Sequence, residues 1–269
     1  MSDTAVRHAQ HDAVVAAVRE NYRTSQPEMG YRVERRALGW FQHPPGGESF
    51  GSVTVDAIEP AAVPELVAEI RRVYGHSAVT VNVDDRARDA ELGPALAAAG
   101  FTPDERTTSL AFVGEPPPVA RPDGVEVAES GPDDLDAWAR IKLQGFGNSD
   151  AEPDGDALAR EVSLRRAEIR GEARLRLALA EGEPACAIAF YDGPDLLIFN
   201  LATPPRFRGR GLARLLLLDA VAGADAARCR SVVINADEED WPVTWYRRLG
   251  FTDEVYWRHR YRLPATDAS

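Results

Sequence analysis

The stretch Arg208-Gly209-Arg210-Gly211-Leu212-Ala213 has residue types and spacing suited to holding an anion. It follows an apolar run, Leu196 to Leu201, and a helix-blocking Thr203-Pro204-Pro205; it opens into Leu212-Ala213-Arg214-Leu215-Leu216-Leu217-Leu218. Strand, glycine turn and helix in that order make an anion site. The first N–H groups of a helix have no partners within it, and the aligned peptide dipoles make that end positive. Glycine lets the backbone approach a bulky phosphate with no Cβ in the way. Flanking arginines add charge and forked donors. The expected chemistry is phosphate or pyrophosphate binding by Arg208, Gly209, Arg210, Gly211, Leu212, Ala213 and Arg214.

A second group lies downstream. Ser231 to Asn235 reads as a short buried strand. It leads to Trp241-Pro242-Val243-Thr244-Trp245-Tyr246-Arg247-Arg248-Leu249-Gly250-Phe251. Pro242 suits the first turn of a helix, Asp240 is its candidate N-cap, and Gly250 suits the residue that ends it.

Together these stretches resemble the GNAT acetyltransferases. That family's pyrophosphate loop, Gln/Arg-x-x-Gly-x-Gly/Ala, reads here as Arg208-x-x-Gly211-x-Ala213; a second register, Arg206-x-x-Gly209-x-Gly211, also fits. The first is preferred because family members carry x-Pro just upstream, where Thr203-Pro204-Pro205 stands. The later helix resembles the family's aromatic-Tyr-x-x-Leu-Gly-Phe. The resemblance covers Val125 to about Leu263. It implies acetyl-CoA as acyl donor and no metal. It implies that the backbone of Leu201, Ala202 and Thr203 binds the pantetheine arm, where the family's sheet splays. It also implies that Tyr246 protonates the departing thiolate. The acceptor is expected to be an amine of a small molecule or peptide, acetylated directly in a ternary complex. O-acetylation, transfer of a longer acyl group, and a non-catalytic acyl-CoA-binding regulator are the alternatives.

The general base is not legible. Asp195 and Asp192 are candidates near the strand that feeds the loop. The acidic run Asp237-Glu238-Glu239-Asp240 reads mainly as a solvated loop with a helix cap. His8, His11, His43, His76 and His259 show no ligand spacing. His259 on the closing strand could face the acceptor pocket but is read rather as a sheet-packing or solvent-facing residue, and Trp241 and Trp245 are read as core rather than ligand-stacking.

The elements that position these residues follow from periodicity. Alternation or apolar runs mark strands at Val125 to Val127, Leu175 to Leu179, Ala185 to Tyr191, Leu196 to Ala202 and Val255 to Leu263. Asp133 to Gln144 and Asp156 to Arg170 read as helices. Gly114 to Asp123, with three consecutive prolines, reads as an extended linker. Upstream, the pattern repeats weakly: a strand at Gly51 to Val55, a helix at Val63 to Tyr74, and a strand at Ala78 to Val83. A helix at Arg88 to Ala99 ending in Gly100-Phe101 and a strand at Thr107 to Val113 complete it. Asp56-Ala57-Ile58-Glu59-Pro60 supplies no N–H nest before that first helix, and no tyrosine precedes Gly100. The expected organisation is therefore a degenerate GNAT-like unit over 1–114, a linker over 115–123 and a catalytic GNAT domain over 124–269. The fold class is α/β (α+β): two GNAT-like units, each a mixed, mainly antiparallel twisted sheet flanked by helices. A helix is expected over Asp12 to Tyr22; Arg23 to Phe50 is too irregular to assign.

Composition sets the outer bounds. The chain has 269 residues and a formal net charge of -12, which argues against nucleic acid as a general partner. No apolar run approaches the roughly 20 residues that span a membrane. Two cysteines, Cys186 and Cys229, form no metal or disulfide pattern, and Cys186 reads as a buried thiol. A cytoplasmic location is expected; the oligomeric state is open. Lys142 is the only lysine, a bias a GC-rich coding sequence explains.

Overall fold

A computed structural model describes residues 15–16, 32–43, 50–56, 58–170, 173–191, 193–226 and 229–266. Contacts divide the chain into two units. One comprises Met1–Leu110, Ala236–Leu249 and Glu254–Ser269; the other comprises Ala111–Asn235 and Gly250–Asp253. This division differs from the contiguous one expected at the proline-rich stretch. The helix carrying Tyr246 and most of the last strand group with the N-terminal residues, because that strand pairs there.

The second unit holds the glycine loop. Its strands are β6 (Val125–Glu129), β7 (Ala173–Ala180), β8 (Glu183–Tyr191), β9 (Asp195–Ala202) and the start of β10 (Ser231–Asp237), in spatial order β6-β7-β8-β9-β10. The first four pair antiparallel, and β10 runs parallel to β9. A parallel pair needs a crossover. Here it is the helix α5 (Leu212–Ala226). Leu215, Leu216, Leu217 and Leu218 are all buried, as in a helix that is apolar all round. Two further helices, α3 (Leu135–Phe146) and α4 (Gly155–Arg170), precede β7. Leu135, Trp138 and Ile141 pack on Leu175, Leu177, Ala187 and Ala189. The fully buried Trp138 donates its indole N–H to the Ile188 carbonyl at 3.2 Å.

The first unit builds its own sheet from β1 (Arg32–Arg36), β2 (Gly39–His43), β3 (Phe50–Val55), β4 (Ala78–Val83), most of β5 (Thr102–Phe112) and most of β11 (Phe251–Leu263), ordered β1-β2-β3-β4-β11-β5. The helix α1 (Val63–Tyr74) crosses between the parallel strands β3 and β4, and α2 (Arg86–Ala98) follows β4. The Asp85 carboxylate caps α2 through the N–H groups of Ala87 and Arg88. Leu66 and Ile70 of α1 and Leu92 and Leu96 of α2 bury against Val53, Val81 and Tyr261. Strand β11 lies antiparallel to β4, with Leu263 opposite Val79 and His259 opposite Val83. The expected repeat is visible as topology: strand, helix, parallel strand and helix recur as β3-α1-β4-α2 and as β9-α5-β10-α6, where α6 is Trp241–Arg248.

Most expected elements are present. Val63–Tyr74 and Ala78–Val83 have the expected limits. Within the segment left unassigned, β1 and β2 form an antiparallel hairpin pairing Arg36 with Gly39. Its alternation was hidden by arginines at Arg32, Arg35 and Arg36. The expected helix over Asp12 to Tyr22 lies almost wholly outside the described residues.

Candidate active site

The glycine loop is built by local backbone rules. After β9 ends at Ala202, Pro205–Phe207 makes one 3-10 turn. Gly209 and Gly211 then take φ values of 77° and 76°, the left-handed region in which a Cβ is strained. The Leu215 N–H donates to the Gly211 carbonyl at 2.9 Å. Gly211 is thus the N-cap, and the N–H groups of Leu212, Ala213 and Arg214 are the first of α5, those that lack intrahelical acceptors. The register Arg208-x-x-Gly211-x-Ala213 therefore sets its glycine at the cap. A Cβ at Gly211 would meet no atom within 4 Å; the space in front of the helix is open.

The arginines divide their work. Arg208 donates to the carbonyl oxygens of Thr203 at 3.1 Å and Gly145 at 2.9 Å, and to Asn148 Oδ1 at 2.6 Å. Arg206 faces Glu183 at 3.0 Å and Gln144 Oε1 at 3.4 Å, while its backbone N–H donates to Asp150. Arg206 and Arg210 both lie over the ring of the buried Phe207, at 4.6 and 5.5 Å from its centroid. Arg210 and Arg214 are exposed. Gly145, Asn148 and Asp150 were not singled out from sequence. They sit about 60 residues upstream, and only the packing of the α3 end against the loop brings them there.

Strand β9 supplies a second feature. Its ladder with β10 runs from Asp195 opposite Ser231 to Ile198 opposite Ile234 and stops, while β9 continues to Ala202. Its pairing with β8 shifts register between Ala189 and Phe190. Phe199 is the extra residue of that bulge, a device that bends a strand and interrupts pairing. Leu201 and Ala202 stay paired with Ile188 and Ala187 of β8. Their other edge has no ladder partner among the described residues. Thr203 Oγ1 lies 3.1 Å from the sulfur of Cys186. Burial pushes that thiol up to about 12.

Tyr246 belongs to the first unit, on α6. The Asp240 carboxylate accepts from the Trp241 N–H at 2.7 Å, and Pro242 occupies the first turn. Val243 and Tyr246 are buried, and the Tyr246 ring lies 5.2 Å from that of Trp245. The helix ends before Gly250, at φ 108°, where a Cβ would come within 2.6 Å of the Phe112 ring. Phe251, next to it, is fully buried edge-on to Phe112.

Several expectations require correction. Trp241 is not core: it is 69% exposed, because it stands at the first position of α6 before the buried stripe begins. Asp195 is not a plausible base: its carboxylate is buried and accepts from Arg230 and Ser231. Asp192 lies outside the described residues. The acidic run is not simply solvated. Glu238 accepts from Arg86 at 2.5 Å and from the Trp257 indole at 3.0 Å. The Arg86 hydrogen bond holds its carboxyl below the usual range. Glu239 pairs with Arg106 at 3.1 Å. His259 is neither solvent-facing nor a plain packing residue: it is buried, with Nδ1 2.9 Å from Asp89, which also accepts from the Tyr261 hydroxyl at 2.6 Å. Among the described residues no cluster of three or more His, Cys, Asp or Glu could hold a metal, and no helix is long and apolar enough to cross a membrane.

Comparison with known proteins bears on this arrangement. Residues 145–259 match the family model described as the acetyltransferase (GNAT) domain. The sequence has no match among curated proteins. Among solved structures, a tandem GNAT protein from the clavulanic acid biosynthesis pathway is similar with a TM-score of 0.62 at 16% identity, over 87% of this chain and 82% of that one. A GCN5-related N-acetyltransferase from Kribbella flavida gives 0.62 at 17% identity, over 92% and 95%. One from Sphaerobacter thermophilus gives 0.60 at 18% identity, over 86% and 82%. At these identities the structural likeness concerns the fold, which over most of the chain is that of GNAT proteins. With the sequence match added, the chain carries a GNAT acetyltransferase domain over residues 145–259.

Proposed function

We propose that this protein transfers an acetyl group from acetyl-CoA to an amine of a small-molecule or peptide acceptor. The observation that carries the reading is the cap of α5: Gly211 at positive φ, with free helix N–H groups behind an open approach. Pyrophosphate binds there to the N–H groups of Leu212, Ala213 and Arg214, with Arg208, Gly209 and Arg210 completing the loop. The unpaired edge at Leu201, Ala202 and Thr203 receives the pantetheine amides as an added strand would.

The neutral acceptor amine attacks the thioester carbonyl, the C–N bond forms, and collapse of the tetrahedral intermediate breaks the C–S bond. The amine loses a proton and the thiolate gains one. We assign that donated proton to the Tyr246 hydroxyl, in keeping with the family resemblance of its helix. The N-terminal unit takes no CoA in this reading, because Pro60 and Pro64 remove donors at the start of its first crossover. Two free cysteines fit a reducing compartment, and we place the reaction in the cytoplasm.

The test is a mass-shift screen of amino acids, polyamines, aminoglycosides and peptide termini with acetyl-CoA. A 1:1 coupling of acetylated amine to released thiol is expected. CoA binding without thiol release across the screen would identify a non-catalytic regulator instead.

A further inference from the structure

The first unit contains a cleft of about 890 Å³. It opens where the parallel strands β3 and β4 part: their ladder ends with Thr54 opposite Asn82, and the next residues, Val55 and Val83, line the cleft. Crevices outside the carboxyl ends of parallel strands are where open α/β sheets bind ligands. In the second unit the corresponding place, beyond Ile198 and Ile234, is followed by an arginine-rich loop. Here the lining carries five carboxylates, including Asp56, Glu59, Asp84 and Glu91, against two guanidiniums, Arg35 and Arg88. Such a field repels pyrophosphate and attracts cations.

A second, independent feature marks the wall. The Asp84 side chain is only 9% exposed, and its Oδ1 accepts from Arg258 at 3.2 Å. Its Oδ2 is buried with no hydrogen-bond partner. A buried carboxylate oxygen lacking a donor is an uncommon feature. Of the remaining acids, Asp56 pairs with Arg35 and Asp85 caps α2, whereas Glu59 and Glu91 are held loosely: Arg88 stands 3.8 Å from both, and their side chains are 78% and 60% exposed. Among the described residues these acids form no metal-holding cluster; they are spread along a cleft whose wall includes Val55, Val83 and Ala87. Dispersed carboxylates around an aliphatic wall suit ammonium groups separated by methylenes.

We infer that this cleft binds a linear polyamine, in the place that the fold's other parallel pair gives to its anion. The inference is independent of acetyl transfer, and its test contains no acetyl-CoA. Spermidine is titrated by calorimetry into the full chain and into the Gly211→Glu variant, whose pyrophosphate loop is blocked. One spermidine per chain is expected in both, weakening as salt screens the charges. Glu59→Gln combined with Glu91→Gln, both at exposed positions that leave the core intact, should raise Kd about tenfold, equivalent to roughly 1.4 kcal/mol. Asp84→Asn should do the same; because it also removes the charge opposite Arg258, the exposed pair carries the test if that variant does not fold. Absence of binding overturns the inference, as does binding that the paired substitution leaves unchanged. Equal competition by magnesium ion alone would reveal a metal site and also overturn it.

Discussion

Arg208 Nη1 donates to Asn148 Oδ1 at 2.6 Å, and Asn148 itself holds a left-handed φ of 49°. The turn that ends α3 thus fixes the arginine that begins the glycine loop. Asparagine is among the few residues that tolerate this backbone region. Asn148→Gly keeps the backbone and deletes the anchor; Asn148→Ala deletes the anchor and adds strain. Both variants should raise the acetyl-CoA Kd about three- to tenfold, from loss of a hydrogen bond with a net worth of roughly 0.5–1.5 kcal/mol. Only the alanine variant should also lose thermal stability. Unchanged affinity in the glycine variant would show that the Thr203 and Gly145 carbonyls hold Arg208 unaided.

Gly211→Glu puts a side chain and a negative charge where the proposed pyrophosphate would approach. Because a Cβ there meets nothing within 4 Å, the variant should fold, with a backbone strain of about 1–2 kcal/mol at its left-handed φ. Acetyl-CoA should raise the Tm of the parent by mass action and leave that of the variant unmoved. Equal stabilisation of both proteins would remove the loop from the cofactor site.

Tyr246→Phe keeps the buried ring against Trp245 and removes the proton. Thiol release should fall by roughly 10²–10⁴-fold, the usual loss for a missing acid or base. Acetyl-CoA affinity should hold, since pyrophosphate binding is assigned to Arg208 to Arg214. Water can replace the hydroxyl in part, which sets the lower end of that range. Parent turnover in the phenylalanine variant would reduce Tyr246 to a packing residue.

Acetyl-CoA should bind once per chain. The crossover helix α1 follows Pro60, carries Pro64 in its first turn and begins beside the carboxylates Asp56 and Glu59. Calorimetric titration should give a stoichiometry of one. Two equivalent sites would show that the N-terminal unit is not degenerate.

The two thiols should differ in reactivity. Cys186 is fully buried, and burial pushes it from 9.0 to about 12; Cys229 is partly exposed. Alkylation of the native protein near pH 8, read by peptide mapping, should label Cys229 and spare Cys186. Above pH 9 the unfolded chain releases this proton before the folded one does. Stability should therefore decline as pH rises from about 9 to 12, and Cys186→Ala should flatten that limb. Rapid native labelling of Cys186 would contradict its burial.

Much of the local geometry of the candidate site was legible because its signals are local. Gly209 and Gly211 mark positive-φ positions, the leucines from 215 to 218 mark a buried crossover helix, and Asp240, Pro242 and Gly250 mark both ends of α6. These are properties of neighbouring residues, so a one-dimensional reading reaches them. The same holds for α1 and β4, whose periodicity is unbroken. The hairpin β1–β2 was not legible, since its arginines break the period-2 pattern: Arg35 and Arg36 lie over the rings of Trp40 and Phe41 and pair with Asp56 and with Glu34 and Glu69, contacts that alternation alone does not show. Trp241 misled for a related reason: an aromatic residue is read as core by type, whereas its position at the start of a helix decides its exposure.

What the sequence determined by itself is therefore the glycine loop, the helix behind it, the tyrosine helix and the repeated strand-helix order. Only tertiary structure decided which distant groups meet them. It brought Gly145 and Asn148 to Arg208, Asp89 of α2 to His259 and Tyr261 of β11, and Arg86 to Glu238. It laid the last strand beside β4 and so drew the unit boundary through the C-terminal part of the chain. The physical reason is the same in each case. A backbone preference is set by adjacent residues, whereas the partner of a charged side chain or a strand edge is chosen by burial, where an unmet donor or acceptor costs about 1–3 kcal/mol.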